Sequence, residues 1–348
     1  MTARRILLTG ATGVVGSELV PRLRRMTSDD TEIVVLTRSG HSTGVRTLAC
    51  DLADPMSVAA AGRGLGRAGH TIAVHCAADV SWHRSRERLW PLNVEGTRSL
   101  AALVRATSHE ARLVYVSSAY TSREVTSYRN AYEETKAAAE GILHDEFADL
   151  EPVTFSCSLV VGDAATGAIA RFHGLYPLFH ILERFAPPFL VGERDVRVDL
   201  VPVDWVADEL AHLVGQVIRG AGRDDVVASA GSAAPTFPVL VGLAVDALNR
   251  ARQDGRDQIG EIPVLRPRQW RFLRRTIDAW EVGDQVERAP LAVMERLLRR
   301  YQPYLEDGRV RPPTNVTAPA PPIDSYLDAV VTYWLAQQRR HDLADASP

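Results

Sequence analysis

The apolar run Arg4–Thr9 leads straight into Gly10-Ala11-Thr12-Gly13-Val14-Val15-Gly16, after which Ser17–Met26 takes up helical spacing. A strand, a turn with glycine at every third position and a helix opening on the last glycine leave few folds available. Glycine lets the chain turn tightly and lets backbone come close to a ligand. The helix that follows offers unbonded N–H groups at its positive end, which suits an anion such as a pyrophosphate. The junction therefore predicts a first βα unit shaped for a dinucleotide, with Gly10, Thr12, Gly13, Val14, Val15 and Gly16 along its turn.

The alternation continues downstream. Glu32–Thr37, Val45–Ala49, Ile72–Ala77, Leu113–Ser118 and Val153–Val161 read as buried strands. Val94–Arg105 and Asn130–Phe147 read as helices between them. Strands separated by helices imply right-handed βαβ units and an α/β fold, a doubly wound parallel sheet of the Rossmann type. Past Gly162 the pattern weakens into aromatics, prolines and arginines, with helical stretches at Trp205–Ile218, Phe237–Arg252 and Leu291–Tyr301. The 348 residues suffice for two domains. The division expected is a dinucleotide-binding domain over 1–162 and a smaller, mainly helical substrate region over 163–348, parts of which return to the first half. Five prolines in 311–322 predict an extended linker, and Ile323–Arg340 a C-terminal helix.

Several classes fall away. With 40 basic against 43 acidic residues the net charge is −3, so no basic field argues for nucleic acid or an anionic membrane. Cys50, Cys76 and Cys157 lack metal-ligand spacing and are too few for a disulfide scaffold, so no metal site is expected. No stretch approaches the roughly 18 apolar residues of a membrane span, and the N-terminus lacks a secretory pattern. A cytoplasmic location is the expectation.

The second strand ends Leu36-Thr37-Arg38-Ser39, where a site for NAD usually carries an acid for the ribose 2′-hydroxyl. Arg38 suits a 2′-phosphate instead, because its planar fork makes two charge-assisted bonds; this points to NADPH. Asp51 and Leu52 end the third strand at the same edge. There the carboxylate serves either the adenine amino group or a cap for the next helix.

Of the 40 basic residues, 39 are arginine and one, Lys136, is lysine. A chain that uses arginine wherever a cation suffices retains lysine where a compact ammonium is needed. Lys136 lies four residues after Tyr132, so both side chains leave one helix face. An ammonium there is expected to lower the phenol's pKa and fit it for proton transfer. Tyr128 has no lysine at that spacing. The fifth strand ends Ser117-Ser118, placing a hydroxyl at the carboxyl edge of the sheet, where ligands bind in such folds.

Thr9-Gly10-x-x-Gly13-x-x-Gly16, Asp51-Leu52, His75-Cys76-Ala77-Ala78, Asn93-Val-Glu-Gly96-Thr97, Val116-Ser117-Ser118 and Tyr132-x-x-x-Lys136 together resemble the extended short-chain dehydrogenase/reductase superfamily. The resemblance implies Ser118, Tyr132 and Lys136 as the catalytic group, with Lys136 on the nicotinamide ribose. It also implies Ala77, Ala78, Asn93 and Ser158 along the cofactor.

Val160-Val161-Gly162-Asp163-x-x-Thr166-Gly167, Leu200–Ala207 and Tyr301–Leu305 resemble more closely the fatty acyl-CoA reductase and thioester reductase branch. Two departures stand out: Ser156-Cys157 replaces the branch's usual Arg-Pro before Ser158, and the stretch from Ser118 to Tyr132 is short. The function this implies is NADPH-dependent reduction of an acyl thioester, on CoA or a carrier protein, to an aldehyde or through it to an alcohol. The competing functions are a sugar-nucleotide epimerase/dehydratase or hydroxysteroid-type dehydrogenase, and a non-catalytic NADP-binding interaction protein. His75 and His173 read as packing residues. Trp82, His83, Arg84 and Arg86 read as a solvated loop or the lining of an acyl or pantetheine channel, and Arg266, Arg268, Arg271, Arg274 and Arg275 as a solvated face or a contact for a CoA phosphate or an acidic carrier protein.

Overall fold

The computed structural model describes residues 4–28, 30–38, 44–121, 127–221, 224–252, 257–279 and 301–345, with side chains for all but 276–279 and 341–345. The expected helix Leu291–Tyr301 falls almost entirely outside these residues. The chain divides into two compact units. One comprises Met1–Ser158, Val203–Ser229 and Arg311–Ala320; the other comprises Leu159–Pro202, Ala230–Val310 and Pro321–Pro348.

The first unit is built on strands β1 (Arg4–Thr9), β2 (Thr31–Thr37), β3 (Arg46–Ala49), β4 (Ala68–His75), β5 (Ser108–Ser118) and β6 (Val153–Cys157). Helices α1 (Val14–Met26), α2 (Pro55–Leu65), α3 (Arg86–Trp90), α4 (Gly96–Thr107) and α5 (Ala131–Glu146) alternate with them. A π-turn over Pro91–Glu95 joins α3 to α4. A seventh strand, β10 (Val226–Ala228), completes a sheet in the order β3-β2-β1-β4-β5-β6-β10. Every pairing is parallel. The direction of winding reverses between β1 and β4, where an open α/β sheet leaves its binding crevice.

Leu7, Val34, Leu36, Ala73, Leu113 and Tyr115 meet Leu100, Val104, Ala139 and Leu143 in one continuous core, which seats α4 and α5 on the sheet. Helix α7 (Val203–Ile218) packs against α1. There Arg22 bonds Asp208 at 2.6 Å and the Asp204 carbonyl at 3.2 Å. Residues 311–320 are extended but fastened. Thr314 and Val227 exchange backbone bonds of 3.0 and 3.1 Å. The buried Glu209 carboxylate accepts the Thr317 N–H at 2.7 Å and its hydroxyl at 2.5 Å.

The run Val153–Val161, expected as one strand, is shared between two sheets. Ser158 N–H still reaches the Ala228 carbonyl at 3.0 Å, whereas Leu159 N–H bonds Asp199 at 3.2 Å and opens β7 (Leu159–Val161) in the second unit. An uninterrupted apolar run carries no mark of where a strand changes partner.

In the second unit β7 pairs with β9 (Leu200–Pro202), and β8 (Leu190–Val191) with β11 (Val264–Leu265). Its helices are α6 (Tyr176–Phe185), α8 (Phe237–Ala251), α9 (Pro267–Ala279) and α10 (Leu327–Asp345). Phe179, Leu182, Leu240, Ala244, Val330 and Trp334 form the centre of its core. Gly162 and Gly167 sit where backbone crowds: a Cβ on Gly167, whose φ is +70°, would strike the Ala329 carbonyl of α10. That closeness accounts for both glycines of the Gly162–Gly167 motif. Among the described residues no helix is long and apolar enough to cross a membrane.

Candidate active site

The glycine turn lies at the carboxyl end of β1 beside that of β4, with Thr9 opposite His75. Gly10 has φ +72°, and a Cβ on it would lie 2.6 Å from both the Ala77 nitrogen and the Cys76 carbonyl carbon. A Cβ on Gly16 would strike the Gly10 carbonyl oxygen. Gly13 N–H closes the turn onto that oxygen at 2.9 Å and then serves as the N-cap of α1, with no side-chain cap bond. First-turn N–H groups without a side-chain cap are what an anion needs, so the turn fits a dinucleotide pyrophosphate. Thr12 is exposed, and Val14 and Val15 are half-buried.

Beneath the turn a buried chain of bonds joins three elements. Thr97 Oγ donates to the Asn93 carbonyl at 2.8 Å and so accepts from His75 Nε2 at 2.9 Å. Thr9 Oγ accepts the Ala77 N–H at 3.2 Å and donates to His75 Nδ1 at 2.7 Å. These roles require a neutral ring. Burial, helped by Lys136, pushes the His75 pKa down to about 3. His75 is therefore a brace between β1, β4 and α4.

Arg38 is exposed directly beyond β2. Asp51 accepts the Ala53 N–H at 3.0 Å, while the cap of α2 is supplied by Asp54, which accepts Met56 N–H at 2.9 Å. Leu52 is buried and its Cβ backs onto Gly96, so its side chain belongs to the core.

Asn130 caps α5 by accepting Glu133 N–H at 3.0 Å, and the buried Glu133 ties back to Arg129 at 2.8 Å. This fixes the first turn, on which Tyr132 stands. One turn on, Lys136 is only 2% exposed. Its Nζ donates to the Val116 carbonyl at 2.7 Å and lies 3.9 Å from the centre of the Tyr115 ring. Burial lowers its pKa to about 8, opposed by Glu140 and by the thiols of Cys157 and Cys76.

The expected lowering of the Tyr132 pKa is not found. Burial, then Cys157, Glu133 and Glu140, raise it, and Lys136 is turned toward Val116 and Tyr115. Desolvation of the phenolate outweighs the neighbouring cation.

The two serines are separated by strand geometry, since successive side chains point to opposite faces. Ser117 Oγ donates to the Glu140 carboxylate and lies 3.3 Å from Thr121 Oγ. Ser118 Oγ accepts the Tyr120 N–H at 3.3 Å. Asn93, within the π-turn, uses both amide hydrogens, on the Asp79 carbonyl at 3.0 Å and Thr135 Oγ at 3.1 Å. It also accepts Asp79 N–H at 2.7 Å. It thus braces the loop after β4, with Ala77 and Ala78, against α5. Ser158 is buried at the end of β6. Glu140 and Tyr115 escaped the sequence reading; the spacing of Glu140, four residues past Lys136, was its one available signal.

The NAD-binding family model described as "Male sterility protein" matches residues 67–210. Two curated relatives are similar. A hybrid PKS-NRPS synthetase of Talaromyces variabilis is 29% identical over 235 residues, 63% of this chain. An isonitrile lipopeptide synthase of Streptomyces coeruleorubidus is 30% identical over 254 residues, 61% of this chain. The matched segments are 6% and 17% of the relatives' own lengths.

Among solved structures, the terminal R domain of the myxalamid PKS-NRPS pathway aligns with TM-score 0.68 at 17% identity, covering 98% of this chain and 92% of that one. The PhqB reductase domain of Penicillium fellutanum aligns with TM-score 0.62 at 17% identity, covering 97% and 94%. The fold, the glycine turn and the family match over 67–210 resemble those of NAD(P)-dependent oxidoreductases of the extended short-chain dehydrogenase/reductase type. Within that type the chain resembles the acyl-CoA reductase and thioester reductase branch.

Proposed function

We propose that this chain is an NADPH-dependent reductase of acyl thioesters, carried on CoA or on a carrier protein, with Ser118, Tyr132 and Lys136 as its catalytic residues. The observation that carries the reading is the chain's one lysine, buried on α5 one turn from Tyr132 and bonded to the strand that ends in Ser118. The thioester substrate draws support from the similarity to the reductase domain of a PKS-NRPS pathway.

In this reading the glycine turn holds the cofactor pyrophosphate, Arg38 the 2′-phosphate and Asp51 the adenine amino group. Ala77, Ala78, Asn93 and Ser158 shape the wall beside it. NADPH, when bound, supplies the hydride. Ser118 and Tyr132 donate hydrogen bonds to the thioester carbonyl oxygen, stabilising the negative charge that develops there. Tyr132 passes its proton to that oxygen, and a hemithioacetal results. Its collapse breaks the C–S bond and releases aldehyde and thiol, the hydroxyl proton returning to Tyr132 and the thiolate drawing a proton from solvent. Lys136 would hold the nicotinamide ribose. Ser117 is excluded from the chemistry by its bond to Glu140.

A panel of acyl-CoA and acyl-carrier substrates, each offered with NADPH and NADH, tests the proposal. NADPH should be preferred about tenfold or more, since charge-assisted bonds contribute roughly 1.5–3 kcal/mol. Arg38→Ala should abolish that preference. Equal use of both cofactors by the wild-type protein would refute the role of Arg38.

A further inference from the structure

Lys136 and Glu140 stand one turn apart on α5 and are both buried, at 2% and 8% exposure. Burying either charge alone is costly. Both are held by the end of β5. The Val116 carbonyl takes the ammonium at 2.7 Å, and the hydroxyl of the next residue, Ser117, donates to the Glu140 carboxylate. Thr121 Oγ lies 2.9 Å from the same carboxylate oxygen and 2.8 Å from the Ser118 carbonyl, so its one proton is shared between the two acceptors.

The other titratable groups around Lys136 come from every strand that packs near it. They are Tyr115 on β5, His75 on β4, Cys76 just beyond β4 and Cys157 at the end of β6, with Tyr132 on its own helix. His75 is neutral, and burial pushes the Cys76 thiol up to about 12. Among the described residues, Glu140 is the carboxylate that acts on Lys136.

We propose that Glu140 is a positioning residue: the buried counter-charge, held by Ser117, that keeps Lys136 an ammonium in neutral solution. This deepens the reductase reading above and rests on it for the role of Lys136. Without the carboxylate, an ammonium already lowered to about 8 by burial would lose its proton near neutrality. Ribose binding would weaken with it.

The single lysine makes a direct test available. The full chain, labelled with ¹³Cε-lysine, gives one lysine signal whose shift follows the Lys136 proton. The wild-type midpoint should lie near pH 8. Glu140→Gln should lower it by about one pH unit or more, and Glu140→Asp should restore most of the difference. Ser117→Ala, which strips one donor from the carboxylate, should lower it by less. The alkaline limb of turnover should move with the midpoint.

A folded Glu140→Gln protein that titrates like wild type overturns the proposal. If that variant does not fold, an unmoved midpoint in Ser117→Ala overturns it. The titration needs no substrate, so a shifted midpoint in a protein that reduces no thioester would count against the substrate assignment and leave the role of Glu140 standing.

Discussion

Replacing Gly10 by alanine should damage stability and cofactor binding together, and the structure gives the size. At φ +72° an L-residue loses roughly 1–2 kcal/mol relative to glycine. The new Cβ would also sit 2.6 Å from the Ala77 nitrogen and the Cys76 carbonyl carbon. These are backbone atoms held by the Thr9–His75 bonds, so no side chain can swing clear; overpacking of this kind costs about 1–3 kcal/mol. The sum, about 2–5 kcal/mol, is a large part of the roughly 5–15 kcal/mol that holds a domain together. Gly13→Ala is the control, because its φ is not in the left-handed region and its closest approach, to the Gly10 oxygen, is 3.1 Å. Urea unfolding should show a lowered midpoint at unchanged slope for Gly10→Ala and a smaller effect for Gly13→Ala. NADPH should raise the melting temperature of wild type and fail to do so for Gly10→Ala. A Gly10→Ala protein that unfolds at the wild-type urea concentration and binds the dinucleotide unchanged would refute this account of the turn.

Lys136→Arg should cost at least about 10²-fold in turnover, because a forked guanidinium cannot reproduce the point contact of the buried ammonium with Val116. Steady-state kinetics on the folded variant decide it, and near-wild-type rates would remove Lys136 from the chemistry. Acid should destabilise the protein through His75, whose pKa is lowered from 6.5 to about 3. Below pH 6.5 the unfolded chain binds a proton that the folded chain refuses. Stability is therefore intact above pH 6.5 and falls toward pH 3, by on the order of 5 kcal/mol at 1.36 kcal/mol per unit. Unfolding measured across that range should lose this dependence in His75→Gln.

The parallel sheet was legible because its strands are short apolar runs punctuated by glycine, aspartate and serine, and because tight turns need residues that can make them. Gly10 and Gly16 announce themselves in this way; so does Lys136, by being the only lysine. What stayed hidden depends on contacts distant in sequence. β10 is three residues that become a strand only by pairing with β6. Ser158 looks like the middle of a strand until its neighbour bonds Asp199. The Tyr132–Lys136 spacing placed both side chains on one helix face, yet their electrostatics followed from burial and from Glu140, neither of which spacing expresses. The choice between Ser117 and Ser118 needed the location of the same carboxylate. Asp51 and Asp54 are equally plausible caps by type, and only the start of α2 decides for Asp54.

The thioester assignment is tested most directly by following NADPH absorbance and free thiol together in one reaction with an acyl-CoA or acyl-carrier protein. Thiol should appear as NADPH is consumed, one for one while the aldehyde accumulates, with two NADPH per thiol where the aldehyde is reduced onward. Tyr132→Phe should suppress both signals. A protein that releases no thiol from any thioester, yet oxidises NADPH readily with a ketone or a nucleotide sugar, would contradict the account and leave only its fold and oxidoreductase class.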